Sequence, residues 1–156
     1  MFLNINLGKI MKKMSVILLG LFATSVYAGE CDINIEATAA MAYNTKEITV
    51  KKSCEEVTLN FKVNGTLPKA VMGHNVVITK KPDMDAVLKD GIAAGLNGNY
   101  VKAKDVRVVV ATNVIGGGES TSVKFKSALF NTNEPYVFVC SFPGHSSVMK
   151  GNVKFN

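Results

Sequence analysis

Ten consecutive residues, Cys140-Ser141-Phe142-Pro143-Gly144-His145-Ser146-Ser147-Val148-Met149, bring together a thiol, an imidazole and a thioether. They follow directly on the apolar run Tyr136 to Val139, so the end of a strand delivers them into a loop, and Pro143 and Gly144 turn the chain there. His74, from a distant segment, supplies a second imidazole. A soft thiolate and two imidazoles in a trigonal plane, with a weak long thioether, suit both Cu(I) and Cu(II). Neither oxidation state meets its ideal geometry, so little rearranges when an electron arrives or leaves. Zinc also accepts Cys and His, but it rarely recruits Met and has no second oxidation state to use.

Each of these residues has an ordinary explanation when taken alone. A buried cysteine is usually a small hydrophobe, and a methionine after a loop is usually core filler. The set is more economical than its members, because the chain has only two histidines and both fall in the two segments that also hold a free cysteine and a well-spaced methionine. A Cys/His hydrolase with Cys140 as nucleophile is the competing enzyme class. No glycine-rich nucleophile elbow surrounds Cys140, and Met149 would have no role in such a site. A copper storage or delivery protein is the competing binding class. Such sites hold Cu(I) through several thiolates or thioethers, whereas one thiolate with two imidazoles favours the redox site.

The elements that must position these groups read as strands. Period-two alternation runs through Ile33, Ile35 and Ala37, through Val57, Leu59, Phe61 and Val63, through Val123 and Phe125, and through Val153 and Phe155. β-branched runs at Ile48 to Val50, Val76 to Thr79, Val106 to Ala111 and Tyr136 to Val139 bring the count to roughly eight, separated by turn residues such as Asn64-Gly65 and Gly116-Gly117-Gly118. That pattern predicts an all-β chain, an antiparallel Greek-key β-sandwich. One stretch departs from it. From Asp83 to about Leu96, Met84, Val87, Leu88 and Ile92 recur at helical spacing behind an expected Asp83 cap, and Gly91 and Gly95 limit the helix to fewer than four turns.

At the other end, Lys12 and Lys13 precede an apolar run from Val16 to Ala23, and small residues surround Ala28, so residues 1–28 read as a cleaved signal peptide ending between Ala28 and Gly29. Met11 opens a leader of normal proportions, which leaves residues 1–10 as an upstream start. The apolar run is too short for a membrane-spanning helix, which needs about 20 residues. The remaining domain is residues 29–156, and no stable membrane insertion is expected after the leader is removed. Loss of Lys9, Lys12 and Lys13 reduces the net charge from +6 to +3. That is too mild, and too unclustered, for nucleic-acid binding. Outside the cytoplasm Cys31 and Cys54 would oxidise to a disulfide, leaving Cys140 as the unpaired thiol. A lipid anchor on Cys31 is disfavoured, because Glu30 stands where that processing signal requires a small residue.

Met72-Gly73-His74-Asn75 together with Cys140-x-Phe142-Pro143-Gly144-His145-x-x-x-Met149 resembles the azurins, within the cupredoxins, and the likeness extends over nearly all of residues 29–156. The resemblance implies a type 1 (blue) copper protein that passes single electrons and is not an enzyme. His74, Cys140 and His145 would be the equatorial ligands, Met149 the weak axial one and the Gly73 carbonyl a weaker contact opposite it. The backbone N–H groups of Asn75 and Phe142 would hydrogen-bond the thiolate. It further implies a periplasmic location and redox partners such as c-type cytochromes or periplasmic reductases, met through an apolar rim of Met41, Leu67, Met72, Ile92, Phe142, Pro143 and Val148 around His145. For these side chains, and Ile92 above all, the alternative is plain core. The chain departs from common azurin patterns at Val76, where a buried tryptophan is frequent, and at Val63, where a histidine often sits; it has no tryptophan at all.

Overall fold

The computed structural model describes residues 29–156, so the expected leader, its cleavage point and the choice between Met1 and Met11 lie outside the described residues. Nine strands form two sheets. In chain order they are β1 (Asp32–Thr38), β2 (Ala42–Tyr43), β3 (Glu47–Val50), β4 (Glu56–Asn64), β5 (Val77–Lys80), β6 (Val108–Ala111), β7 (Ser120–Lys126), β8 (Tyr136–Val139) and β9 (Lys150–Phe155). One sheet has the order β2-β1-β4-β7 and the other β3-β9-β8-β5-β6. The alternation read from the sequence is the burial pattern seen: Ile33, Ile35 and Ala37 of β1 and Val57, Leu59, Phe61 and Val63 of β4 all face the core between the sheets.

The sandwich is not purely antiparallel. β1 runs parallel to β4, pairing Asp32 with Thr58 through Thr38 with Asn64, and β3 runs parallel to β9. The reason is a change of sheet early in the chain. After the short β1–β2 turn the backbone crosses to the opposite sheet as β3, so neither β1 nor β3 meets its long-range partner through a hairpin.

β5 and β8 are buried on both faces, which explains why they read as continuous apolar runs rather than alternating ones. Val76, Ile78, Tyr136, Phe138 and Cys140 enter the core between the sheets, while Val77 and Val139 pack outward against Val87, with Met84 and Leu88 beside them. The outer cover is α2 (Met84–Ile92), the expected helical insertion. It is shorter than predicted and its cap differs. The chain enters it through a 3₁₀ turn, Lys81–Asp83, so Asp83 is already helical (φ −88°, ψ −12°) and its side chain makes no capping bond. The helix stops at Ile92, and Gly91 lets the following loop close on it: a Cβ there would lie 2.2 Å from the Tyr100 carbonyl oxygen. A four-residue helix not anticipated from sequence, α1 (Lys69–Met72), precedes Gly73.

The strand expected from Val106 begins only at Val108, because the Asp105 carboxylate accepts the Arg107 N–H at 3.1 Å in a local turn and leaves Val106 96% exposed. The Arg107 guanidinium also pairs with Asp105 at 2.6 Å and with Asp90 of α2 at 2.7 Å, fastening the helix to that turn.

Cys31 and Cys54 form the expected disulfide, and Cys140 is free and buried. The bond ties the start of β1 to the segment before β4, at the opposite end of these strands from the loops that follow them. With a sequence separation of 23 residues, its closure is worth about 3 kcal/mol in the chain-entropy model. Replacing both Cys31 and Cys54 by Ala should therefore lower the unfolding free energy in urea by ~3 kcal/mol. An unchanged unfolding free energy in the double variant would contradict this.

Candidate metal centre

Strand parity places the cysteine. Along β8 the side chains of Tyr136 and Phe138 face the core, so Cys140, one step past the strand, faces it too. β8 and β9 pair with Val139 opposite Lys150, and the Cys140 N–H donates to the Met149 carbonyl at 3.0 Å, extending the ladder by one residue. Cys140 and Met149 are thus cross-strand neighbours closing a hairpin whose loop carries His145. Inside that loop the N–H groups of Val148 and Met149 both donate to the His145 carbonyl, and the His145 N–H donates to that of Phe142. His74 arrives from the other side, on a bridge with Ile115 in which each N–H donates to the other's carbonyl. A side chain at Gly73 would collide with the Lys69 carbonyl at 2.4 Å and with Val114 at 2.6 Å, so the backbone there can lie this close only as glycine.

The two loops are stitched together by Asn75. Its side-chain carbonyl accepts the Ser141 N–H at 2.9 Å, and its amide donates to the Ser141 hydroxyl at 2.8 Å and to the Asn99 carbonyl at 3.0 Å. Asn99 is held in turn by its own side chain, which accepts the Val114 N–H at 2.8 Å. Tyr43 donates its hydroxyl to the Asn75 carbonyl. Sequence reasoning identified Asn75 but missed Tyr43, Ser141 and Asn99. Only the position of Ser141, next to Cys140 in the loop, offered a sequence signal.

Three donors converge. The Cys140 Sγ lies 4.0 Å from Nδ1 of His74 and 3.7 Å from Nδ1 of His145, and the two Nδ1 atoms are 3.1 Å apart. A point in the plane of this triangle stands about 2.1 Å from all three atoms, close to the nitrogen and sulfur bond lengths of a first-row divalent ion. His74 is fully buried, and its outward Nε2 finds no acceptor among the described residues, so the ring is oriented by what it faces through Nδ1. His145 is 5% exposed and Met149 fully buried. This donor set fits a copper ion.

Burial governs the protons. Desolvation lowers the His74 pKa to about 4, with the neighbouring His145 adding to the effect, and desolvation lowers that of His145 as well. Burial pushes the Cys140 thiol up to about 11, opposed by the backbone N–H groups of Asn75 and Phe142.

Of the expected rim, Met41, Leu67, Ile92, Pro143 and Val148 are exposed, and Met72 and Phe142 half-buried. Leu67 and Met72 line one small crevice with His74, and the Phe142 ring lies 4.7 Å from that of His145 and 5.2 Å from that of Tyr100. Val76 and Val63 are both fully enclosed in the core.

The family profile described as copper binding proteins, plastocyanin/azurin family, matches residues 29–156. An azurin of Alcaligenes faecalis is 55% identical over 124 residues, covering 80% of this chain and 97% of that protein. An azurin of Bordetella pertussis is 51% identical over 137 residues, or 88% of this chain and 91% of the relative. Among solved structures, an azurin from the obligate methylotroph Methylomonas sp. strain J superposes with a TM-score of 0.79 at 43% identity, covering 82% of this chain and 99% of its own.

Two pH effects follow for the apoprotein. At pH 7 both imidazoles are neutral and Cys140 keeps its proton, so binding of Cu(II) should release about one proton, measurable by calorimetry in buffers of different ionisation enthalpy. An unfolded histidine takes up its proton near pH 6.5 and folded His74 only near 4, so the unfolded chain binds more protons in between. The His74 contribution to stability is complete above about pH 6.5 and is lost as the pH falls towards 4. Urea midpoints of the apoprotein at pH 7.5 and pH 5 should differ in that direction, and His74→Gln should reduce the difference; equal midpoints would contradict it.

Proposed function

The chain belongs to the plastocyanin/azurin family of copper-binding proteins, and from that membership we propose that His74, Cys140 and His145 hold its one copper ion in a type 1 site of an exported, periplasmic electron carrier. In this reading Met149 would hold the ion weakly through its thioether, and the Gly73 carbonyl would be a still weaker contact. The observation that carries it is the triangle of Sγ and two Nδ1 atoms, of bond-length radius, all three residues being buried. Bound copper supplies the one-electron Cu(I)/Cu(II) couple.

The residues do the rest by holding still. Cys140 and Met149 are locked across the hairpin, His74 is locked to Ile115, and Asn75 joins the two loops, so the donors keep one arrangement whichever charge they face. The N–H groups of Asn75 and Phe142 at the sulfur offset part of the thiolate charge, and such bonds tune affinity and potential. A storage site is the less favoured alternative, because the disulfide leaves Cys140 as the only free thiol among the described residues.

His145 marks the way out. It is the one of the two imidazoles with an edge at the surface, 5% exposed against none for His74, and the exposed apolar side chains Leu67, Pro143 and Val148, with half-buried Met72 and Phe142, suit a weak encounter that buries little surface and separates quickly. The partners proposed are redox proteins such as c-type cytochromes or periplasmic reductases. With residues 1–28 removed as a leader, the charge of +3 gives little long-range steering, so docking depends on the apolar rim more than on salt.

Purified residues 29–156 with Cu(II) should turn blue through thiolate charge transfer. Cys140→Ser should abolish the colour, while Met149→Leu should keep copper and colour and raise the potential, since losing a weak donor disfavours the harder Cu(II) more than Cu(I). Equal loss of copper in both variants would refute the axial assignment. Met72→Lys should slow electron self-exchange about tenfold, the equivalent of ~1.4 kcal/mol of docking free energy, with the visible spectrum unchanged. Stopped-flow kinetics and NMR line broadening measure this, and unchanged rates would move the exit away from this face.

A further inference from the structure

Tyr43 lies on β2, outside both ligand-bearing segments, yet its side chain reaches each of them. The ring is buried among Phe61 and Phe138, with centroids 6.2 and 5.3 Å away. The hydroxyl donates to the Asn75 carbonyl and lies beside the Cys140 sulfur. A phenol has a single proton to give and keeps it at neutral pH, and here that proton goes to the Asn75 carbonyl. Asn75 is thereby engaged at every polar atom: N–H to sulfur, side chain to Ser141 and Asn99, carbonyl to Tyr43. Without the hydroxyl, a buried carbonyl in the middle of this network would be left without its donor, and the Asn75–Val76 peptide would lose one of the bonds that fix its orientation.

We propose that Tyr43 is a positioning residue for the metal centre: its hydroxyl pins the Asn75 carbonyl, keeps the Asn75 N–H on the Cys140 sulfur, and so raises the reduction potential. The inference rests on Cys140 being a copper ligand. A thiolate that accepts well-aimed hydrogen bonds gives less charge to the metal, and the less positive Cu(I) state is then relatively favoured. Tyr43 is not itself an electron relay. Oxidising a phenol releases its proton, and the carbonyl that the hydroxyl faces is no base.

The test compares Tyr43→Phe with Tyr136→Phe. Tyr136 is equally buried, but its hydroxyl accepts the Asn131 N–H away from the centre, so its loss reports the purely structural cost of removing a core hydroxyl. Both variants should lose thermal stability. Only Tyr43→Phe should lower the potential, and only there should the Asn75 amide of the apoprotein exchange hydrogen faster, by about tenfold, as a lost buried hydrogen bond produces. An unchanged potential in Tyr43→Phe overturns the proposal, as does an equal shift in Tyr136→Phe. Should Tyr43→Phe not fold, 3-fluorotyrosine at position 43 keeps the ring and strengthens the donor; the potential should then rise, and no change overturns the proposal. If instead Cys140 is no ligand, the unaltered protein itself lacks the thiolate–Cu(II) band, which separates that failure from this one.

Discussion

Withdrawing a thiol and two imidazoles from water raises the free energy of every charged form they can adopt, and the structure offsets that cost with oriented backbone groups rather than opposing charges. No further carboxylate, histidine or cysteine joins the three donors among the described residues; what reaches the sulfur are the N–H groups of Asn75 and Phe142, with the Tyr43 hydroxyl alongside donating to the Asn75 carbonyl. Oriented dipoles serve here because they stabilise a thiolate without fixing a counter-charge that would favour one total charge of the site. The remaining architecture answers to that requirement. The hairpin closure at Cys140 and Met149, the bridge at His74 and Ile115 and the Asn75 network all act to stop these dipoles turning away.

The donors themselves were legible in the sequence because their chemistry is rare: two histidines, one unpaired thiol and a methionine at fixed spacing leave few other assignments. The core faces of β1 and β4 were legible for a different reason, since one-sided burial writes a period of two into the residues. The supports were not. Tyr43 reads as one more aromatic in an apolar strand, and Asn99 reads as a turn residue, because a hydrogen bond to a backbone carbonyl 24 or 32 positions away leaves no local pattern. The parallel pairings were hidden for the same reason: strand direction is decided by which sheet the chain enters, and period-two alternation is the same in either direction. Val106 misled because a β-branched residue beside an Asp-x-Arg turn looks like the first residue of the strand that follows.

The core is built without tryptophan. Val76 is in the core with no exposure, and Tyr43, Phe61 and Phe138 of the same core meet in tilted and edge-to-face contacts. These pairs hold β2, β4 and β8 at fixed separations just inside the metal centre. Aromatic packing therefore spans both sheets at the end of the sandwich where the donors are, while at the other end the disulfide joins two segments of one sheet.

The position of β9 bears on how the protein is made. This strand, the latest in sequence, is not at an edge: it lies between β3 and β8 and carries the Met149 end of the hairpin. Until it emerges from the ribosome, β3 has no partner and the sheet that bears Cys140 is open along its middle. Contacts of such long sequence separation form slowly and late. The donors can converge only once β9 has paired with β8, because that pairing sets Met149 opposite Cys140 and closes the loop that carries His145.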